Sequence, residues 1–169
     1  MEEQERTDIN TNLKNKRPLV HSITNYVTVN DCANVILAVG GSPIMSDCIK
    51  EVEEITSICD ALFINIGILN ESVVESMVKA GKETNQINNP VVLDPVGIGA
   101  SKFRKETVSR LVDEITFSVI SGNASEIKTL YEESGTTLGV NVNEEDKIGK
   151  TNLADMIQMC QNLSKTTGG

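Results

Sequence analysis

Short apolar runs alternate with segments of helical period along this chain. "PLVHSIT" (18–24), "SPIMS" (42–46), "ALFINIG" (61–67), "PVVLDPVG" (90–97) and "FSVISGN" (117–123) have the length and turn-rich borders of strands. They are almost continuously apolar, as strands are when helices cover both faces of their sheet. Between them, Thr28 suits the N-cap of a helix that turns Cys32, Val35, Ile36 and Val39 inward and stops at Gly40–Gly41. Ile49, Val52, Ile55 and Ile58 recur every three residues, and Asn70 and Ser101 stand where "ESVVESMVKAG" and "KFRKETVSRLVDEI" would be capped. In "NLADMIQMCQNL", Leu153, Met156, Ile157, Cys160 and Leu163 form the inward stripe. This alternation predicts right-handed crossovers and an α/β fold, a mostly parallel sheet with helices on both faces. Ligands then sit beyond the carboxyl ends of the strands, so candidate chemistry belongs to the post-strand loops.

Composition narrows the functions. At 169 residues the chain fits one domain, and its net charge of −9 comes with no lysine- or arginine-rich block. Nucleic acid is therefore not the expected partner, and a bound nucleotide would need a metal ion or a few placed cations. No apolar run reaches membrane-spanning length and the N-terminus is acidic and polar, which predicts a cytoplasmic protein without a membrane partner. Cysteines at 32, 48, 59 and 160 lack CxxC spacing, and there is one histidine. That argues against structural zinc and predicts four small, buried apolar residues.

Three loops could carry chemistry. In "LDPVGIGAS", Asp94 ends a strand ahead of Gly97, Gly99 and Ser101. Either the glycines let backbone approach a phosphate at a helix start, or this is a plain Pro–Gly turn. In "SGNASEIK", Asn123 and Glu126 can offer hard oxygens to Mg²⁺, and they equally match a capping box. "HSITNYVTVNDCAN" crowds more polar groups into a strand-to-helix turn than capping requires. There His21 reads as a structural histidine, whereas Asn25 and the backbone beside Val27 are placed to touch a small ligand. Gly67 would leave that ligand room. Met45, ending the strand in "NVILAVGGSPIMSD", is either ordinary packing or the floor of a pocket for something small and flat.

In this order, "PLVHSITNYVTVNDCANVILAVGGSPIMSD", "INIGILN", "VVLDPVGIGASKFR" and "GNASEI" resemble hydroxyethylthiazole kinase, of the ribokinase-like superfamily. The resemblance runs from about residue 10 onward and implies one three-layer α/β/α domain over residues 1–169. It implies ATP- and Mg²⁺-dependent phosphorylation of the hydroxyl of 4-methyl-5-(2-hydroxyethyl)thiazole, in a homotrimer with the thiazole site at the subunit boundary. Met45, Asn25, Val27 and Gly67 then match thiazole-site positions. Asp94 and Glu126 match the acidic pair near metal and phosphates, with Asn123 completing an Asn-x-x-Glu pattern. Ser121 stands where the family carries a phosphate-contacting arginine, a loss of roughly 1.5–3 kcal/mol of nucleotide binding if it made one charged contact. The resemblance also implies a C-terminally truncated chain, because the Gly-Thr-Gly-Cys loop with the family's catalytic-base cysteine lies beyond it. No residue here inherits that role. The expected activity is accordingly impaired; the alternative is a non-catalytic remnant that binds thiazole or a partner chain.

Overall fold

A computed structural model describes residues 3–133 and 153–167. Each of the five apolar runs becomes a strand: β1 (Leu19–Ile23), β2 (Ser42–Met45), β3 (Ala61–Asn65), β4 (Val91–Asp94) and β5 (Val119–Ile120). They form one sheet in the order β2-β1-β3-β4-β5, and every pairing is parallel. The helices are α1 (Glu3–Lys16), α2 (Val29–Val39), α3 (Val52–Ser57), α4 (Glu71–Gln86), α5 (Lys102–Glu114), α6 (Ala124–Glu133) and α7 (Leu153–Thr167), with a 3-10 turn at Ile98–Ala100. The connection from β1 to β2 runs one way along the sheet, and the next three run the other way. With right-handed crossovers, α2 therefore covers one face while α3, α4 and α5 cover the opposite one. The sandwiched core includes Ile23, Leu62, Ile64, Leu93, Met77 and Phe117, all essentially inaccessible.

Local chemistry sets the ends of these elements. Asn70 Oδ1 accepts the Val73 amide at 3.0 Å and Ser101 Oγ accepts the Arg104 amide at 3.3 Å, so both expected caps form. Gly40 ends α2 with φ +101°, a left-handed cap that suits glycine. Gly81 is a packing glycine. A Cβ there would stand 2.3 Å from Ile115 Cδ1, so its absence lets α4 lie close against the end of α5.

The structure departs from expectation at five points. Thr28 starts α2 without capping it, because its hydroxyl donates back to Asn25 Oδ1 at 3.1 Å. Val35 and Val39 point outward, 62% and 47% exposed, and no residue of α2 is fully buried. This helix covers edge strand β2, and its contacts with α1 leave Val35 and Val39 open. In α7 only Leu163 of the expected stripe is buried, while Leu153 and Ile157 are exposed. Cys59 alone among the cysteines is buried. Cys48 sits on an exposed loop, and Cys160 of α7 is exposed beside β5, lining a cavity with Val119, Ile120 and Ile127. Helix α1 arises from a polar stretch in which no element was expected.

Candidate functional site

The strand order reverses between β1 and β3, which opens a crevice at their carboxyl ends. Asn25, just past β1, and Asn65, closing β3, meet there. Asn25 Nδ2 donates to Asn65 Oδ1 at 3.1 Å, and Asn65 Nδ2 donates to Asp94 Oδ2 at 2.6 Å. The other amide oxygen, Asn25 Oδ1, accepts the backbone N–H groups of Val27 and Thr28 at 3.1 and 3.0 Å. One hydrogen-bonded line thus ties the β1, β3 and β4 ends together. Gly67 belongs to it, donating to Asn65 Oδ1 at 2.9 Å. A Cβ at this position would fall 2.8 Å from Asn65 Oδ1 and 2.9 Å from Asn25 Nδ2, so glycine makes room for the two asparagines.

On the β2 side of this line lies a cavity of about 150 Å³ lined by Ser22, Thr24, Tyr26, Val29, Met45, Ser46 and Asp47. Ser22 stands directly across from Met45 in the β1–β2 register. Beneath the rim, His21 is fully buried; its Nε2 lies 2.8 Å from the Ser46 carbonyl and its Nδ1 lies 2.9 Å from Thr56 Oγ1. Burial holds the His21 pKa below its ordinary value, against the opposing pull of the Ser46 hydrogen bond and the Glu51 charge. A neutral ring has one N–H, and a carbonyl can only accept. Nε2 therefore carries the proton, and Nδ1 faces the Thr56 hydroxyl, whose one hydrogen is shared between Nδ1 and the Val52 carbonyl 2.7 Å away. His21 fastens the loop after β2 to the core, as expected of a structural histidine. Ser46 Oγ donates to Glu51 at 2.6 Å and the Tyr26 hydroxyl donates to Asp47, which bind the rim to itself.

On the other side of the line are the carboxylates. Asp94 ends β4, half-buried. Burial pushes its pKa up, the neighbouring Glu126 charge adds to the rise, and hydrogen bonds from Asn65 and the Val96 backbone oppose it. The two carboxylates are close enough to repel at one end of the sheet. Glu126 accepts the Gly97 amide and the Asn123 amide, each at 2.9 Å, while Asn123 Oδ1 accepts the Glu126 amide at 3.0 Å. That reciprocal pair is the capping box. Asn123 and Glu126 line a second cavity of about 440 Å³ with Gly97, Gly99 and Lys105. Ser121 continues the β4–β5 pairing, its amide donating to Leu93 O at 2.9 Å, and its side chain is exposed. Among the described residues no three His, Cys, Asp or Glu side chains gather into a ready-made metal cage.

Two residues that shape this end escaped the sequence reading. Asn65 is the hub between Asn25, Gly67 and Asp94; its only signal was its place in the strand-ending "NIG". Arg104, inside α5, reaches back to donate to the carbonyls of Ile66 at 2.5 Å, Val96 at 3.0 Å and Gly67 at 2.7 Å. It clamps the β3 and β4 loops together, and nothing in the helical period sets it apart from the other cations of α5. Of the expected substrate-side residues, Met45 alone lines the smaller cavity, while Asn25 belongs to the crevice network. Val27 is 83% exposed beside it, and Gly67 backs the asparagines.

The hydroxyethylthiazole kinase family model matches residues 11–168. The chain is 55% identical to the hydroxyethylthiazole kinase of Clostridium acetobutylicum over 93% of its own length and 58% of that protein's. It is 54% identical to that of Clostridium beijerinckii, over 90% of this chain and 55% of the relative. The structure of the hydroxyethylthiazole kinase protein from Pyrococcus horikoshii OT3 overlays with a TM-score of 0.72 at 42% identity, covering 76% of this chain and 50% of the other. The chain thus spans a little over half the length of these curated relatives. Family match, identity and shared fold agree that the chain belongs to the hydroxyethylthiazole kinase family.

Proposed function

We propose that this chain supplies the substrate-holding part of a hydroxyethylthiazole kinase, acting in ATP-dependent phosphorylation of the hydroxyl of 4-methyl-5-(2-hydroxyethyl)thiazole. One observation carries the reading: the Asn25–Asn65–Asp94 line starts between Thr24 and Tyr26, which line the Met45 cavity, and runs to the carboxylate end of the sheet. A substrate with its ring against Met45 points a side-chain hydroxyl along this line toward Asp94. Phosphoryl transfer is chiefly positioning and neutralisation of charge, and the network fixes both ends of that path. Met45 offers a polarizable thioether to a sulfur heteroaromatic ring.

Asp94 and Glu126 would hold Mg²⁺, with ATP phosphates completing the ion's oxygen set. The donors fit. They are hard oxygens at one end of the sheet, and a cation there would relieve both the burial of the Asp94 charge and its repulsion by Glu126. When bound, the ion neutralises charge on the phosphate oxygens. Asn123 and the amides around Gly97 and Gly99 shape the phosphate-side cavity. Ser121 offers a neutral hydroxyl beside it in place of a fixed cation, which makes nucleotide binding the weaker half of the site. The homotrimer belongs to the same proposal. The outward Val35 and Val39 share one face of α2 and, with exposed Tyr26 and Val27 in the loop before it, leave apolar surface that a neighbouring subunit would cover.

Thermal unfolding with hydroxyethylthiazole and, separately, with Mg-ATP tests the reading. The thiazole alcohol should raise the midpoint, because a ligand that binds only the folded chain stabilises it in proportion to the logarithm of its concentration. Stabilisation with no phosphate transfer assigns the chain a binding role alone. No shift with the alcohol at millimolar concentration refutes the proposal.

A further inference from the structure

The cavity beside Met45 holds two hydroxyls with nothing to bond. Ser22 is 2% exposed, and among the described residues its Oγ and the Oγ1 of Thr24 are buried without any hydrogen-bond partner. Such groups are rare, because a hydroxyl withdrawn from water and left unpaired costs stability. Both line the same cavity. The other side-chain donors of its wall are already committed, Tyr26 to Asp47 and Ser46 to Glu51. The remaining lining is Val29 and Met45, which are apolar, and Asp47. The unspent donors of this wall are therefore Ser22 and Thr24.

We propose that Ser22 and Thr24 are specificity-determining residues whose hydroxyls select a flat single ring bearing a hydrogen-bond acceptor, an azole nitrogen, over an isosteric ring without one. This rests on the functional reading above and adds what that reading leaves open, namely which atom of the substrate is recognised. Sheet order decides which end of the ligand they meet. Ser22 and Met45 lie on β1 and β2, whereas Asp94 ends β4, two strands along from β1. A substrate that turns its alcohol toward Asp94 presents its ring here, so the acceptor is a ring atom. The volume agrees, since a cavity of about 150 Å³ takes one benzene-sized ring and no purine. Either hydroxyl can donate to that nitrogen's single in-plane lone pair, a bond available only when the ligand is present.

Calorimetric titration of the whole chain with hydroxyethylthiazole, and with the thiophene counterpart in which CH replaces the ring nitrogen, tests this. The wild-type chain should bind the thiazole at least about tenfold more tightly, the range expected when a buried donor loses its partner. In the Ser22→Ala/Thr24→Val double variant, thiazole affinity should fall to that of the thiophene, whose own affinity stays within about twofold. Without ligand, the double variant should unfold at the same temperature as wild type or higher, because it has lost orphaned hydroxyls and no bonds. Equal wild-type affinities for the two rings overturn the inference and leave the thiazole-binding reading standing. So does a preference that survives in the double variant, or a clear drop in the ligand-free midpoint. If wild type binds neither ring, both fail together.

Discussion

Replacing Asn65 with alanine breaks three hydrogen bonds at once, and the structure indicates how large the loss should be. The bond to Asp94 Oδ2, at 2.6 Å, is made to a charged acceptor; such bonds contribute about 1.5–3 kcal/mol. Those to Asn25 Nδ2 and the Gly67 amide, at 3.1 and 2.9 Å, are neutral; each contributes about 1 kcal/mol. Asn65 is 7% exposed. The freed groups lie near a crevice mouth, so water recovers part of the loss and the expected cost is roughly 2–4 kcal/mol. Urea denaturation should show this as a lower midpoint with an unchanged slope. The Asn65→Asp variant sharpens the test. It keeps an oxygen for Asn25 and Gly67 but sets a second carboxylate against Asp94, whose pKa is already raised by burial and by Glu126. The folded pair then holds a proton that the unfolded chain releases near pH 4. Its stability relative to wild type should therefore be near normal in acid and be lost as pH rises through the raised folded value. Asn65→Ala loses the bond that favours the charged Asp94, so its deficit should also ease in acid, but by less than that of the aspartate variant. An alanine cost below about 0.5 kcal/mol, within the range of inert surface changes, or an aspartate variant whose deficit does not depend on pH, would refute the hub role.

Further outcomes follow from the same geometry. Arg104→Lys replaces a planar fork on three carbonyls with a point charge; it should cost about 1–2 kcal/mol and speed hydrogen exchange at the Gly67 and Gly97 amides. Asp94→Asn keeps an acceptor for Asn65 and removes a carboxylate whose folded pKa is raised. It should make the chain more stable than wild type at neutral pH, with the advantage vanishing below the unfolded value near pH 4, while abolishing any Mg-ATP-dependent stabilisation. His21 is buried with a lowered pKa. Its contribution is present above the unfolded value near 6.5 and is lost as pH falls toward the folded one, so His21→Gln should flatten the fall in stability on the acid side of that unfolded value. Since the chain has one histidine, its ring-nitrogen NMR signals report the Nε2–H tautomer without ambiguity. Gly67→Ala sets a methyl against Asn65 and Asn25; an overpacking cost of about 1–3 kcal/mol should appear in the denaturation midpoint.

Strand positions were legible because buried parallel strands are written as continuous apolar runs, and the sheet keeps all five. Post-strand loops followed from the fold class, so Met45, Asn25, Asp94 and Glu126 could be named from sequence. Side-chain partnerships were not legible. Asn65 looks like any polar residue closing a strand, and Arg104 like any cation on a helix; only the folding of β3 against β4 brings their partners within reach. The outward turn of Val35 and Val39 was unreadable for a different reason. Helical period identifies the apolar stripe of α2, but whether that stripe faces this chain's own core depends on what packs behind an edge strand. The capping box at Asn123 and Glu126 was open between two readings. In the fold it forms, leaving its metal role to the proposal.

The central claim is that the cavity beside Met45 receives the ring of a thiazole alcohol. Methyl NMR of chain labelled at its five methionines, titrated with hydroxyethylthiazole, tests it directly. The account predicts a saturable shift of the Met45 methyl, accompanied by the Ser22 and Ser46 amides, with Met77 in the core unmoved. A saturable shift confined to other methionines, with Met45 silent, would contradict it.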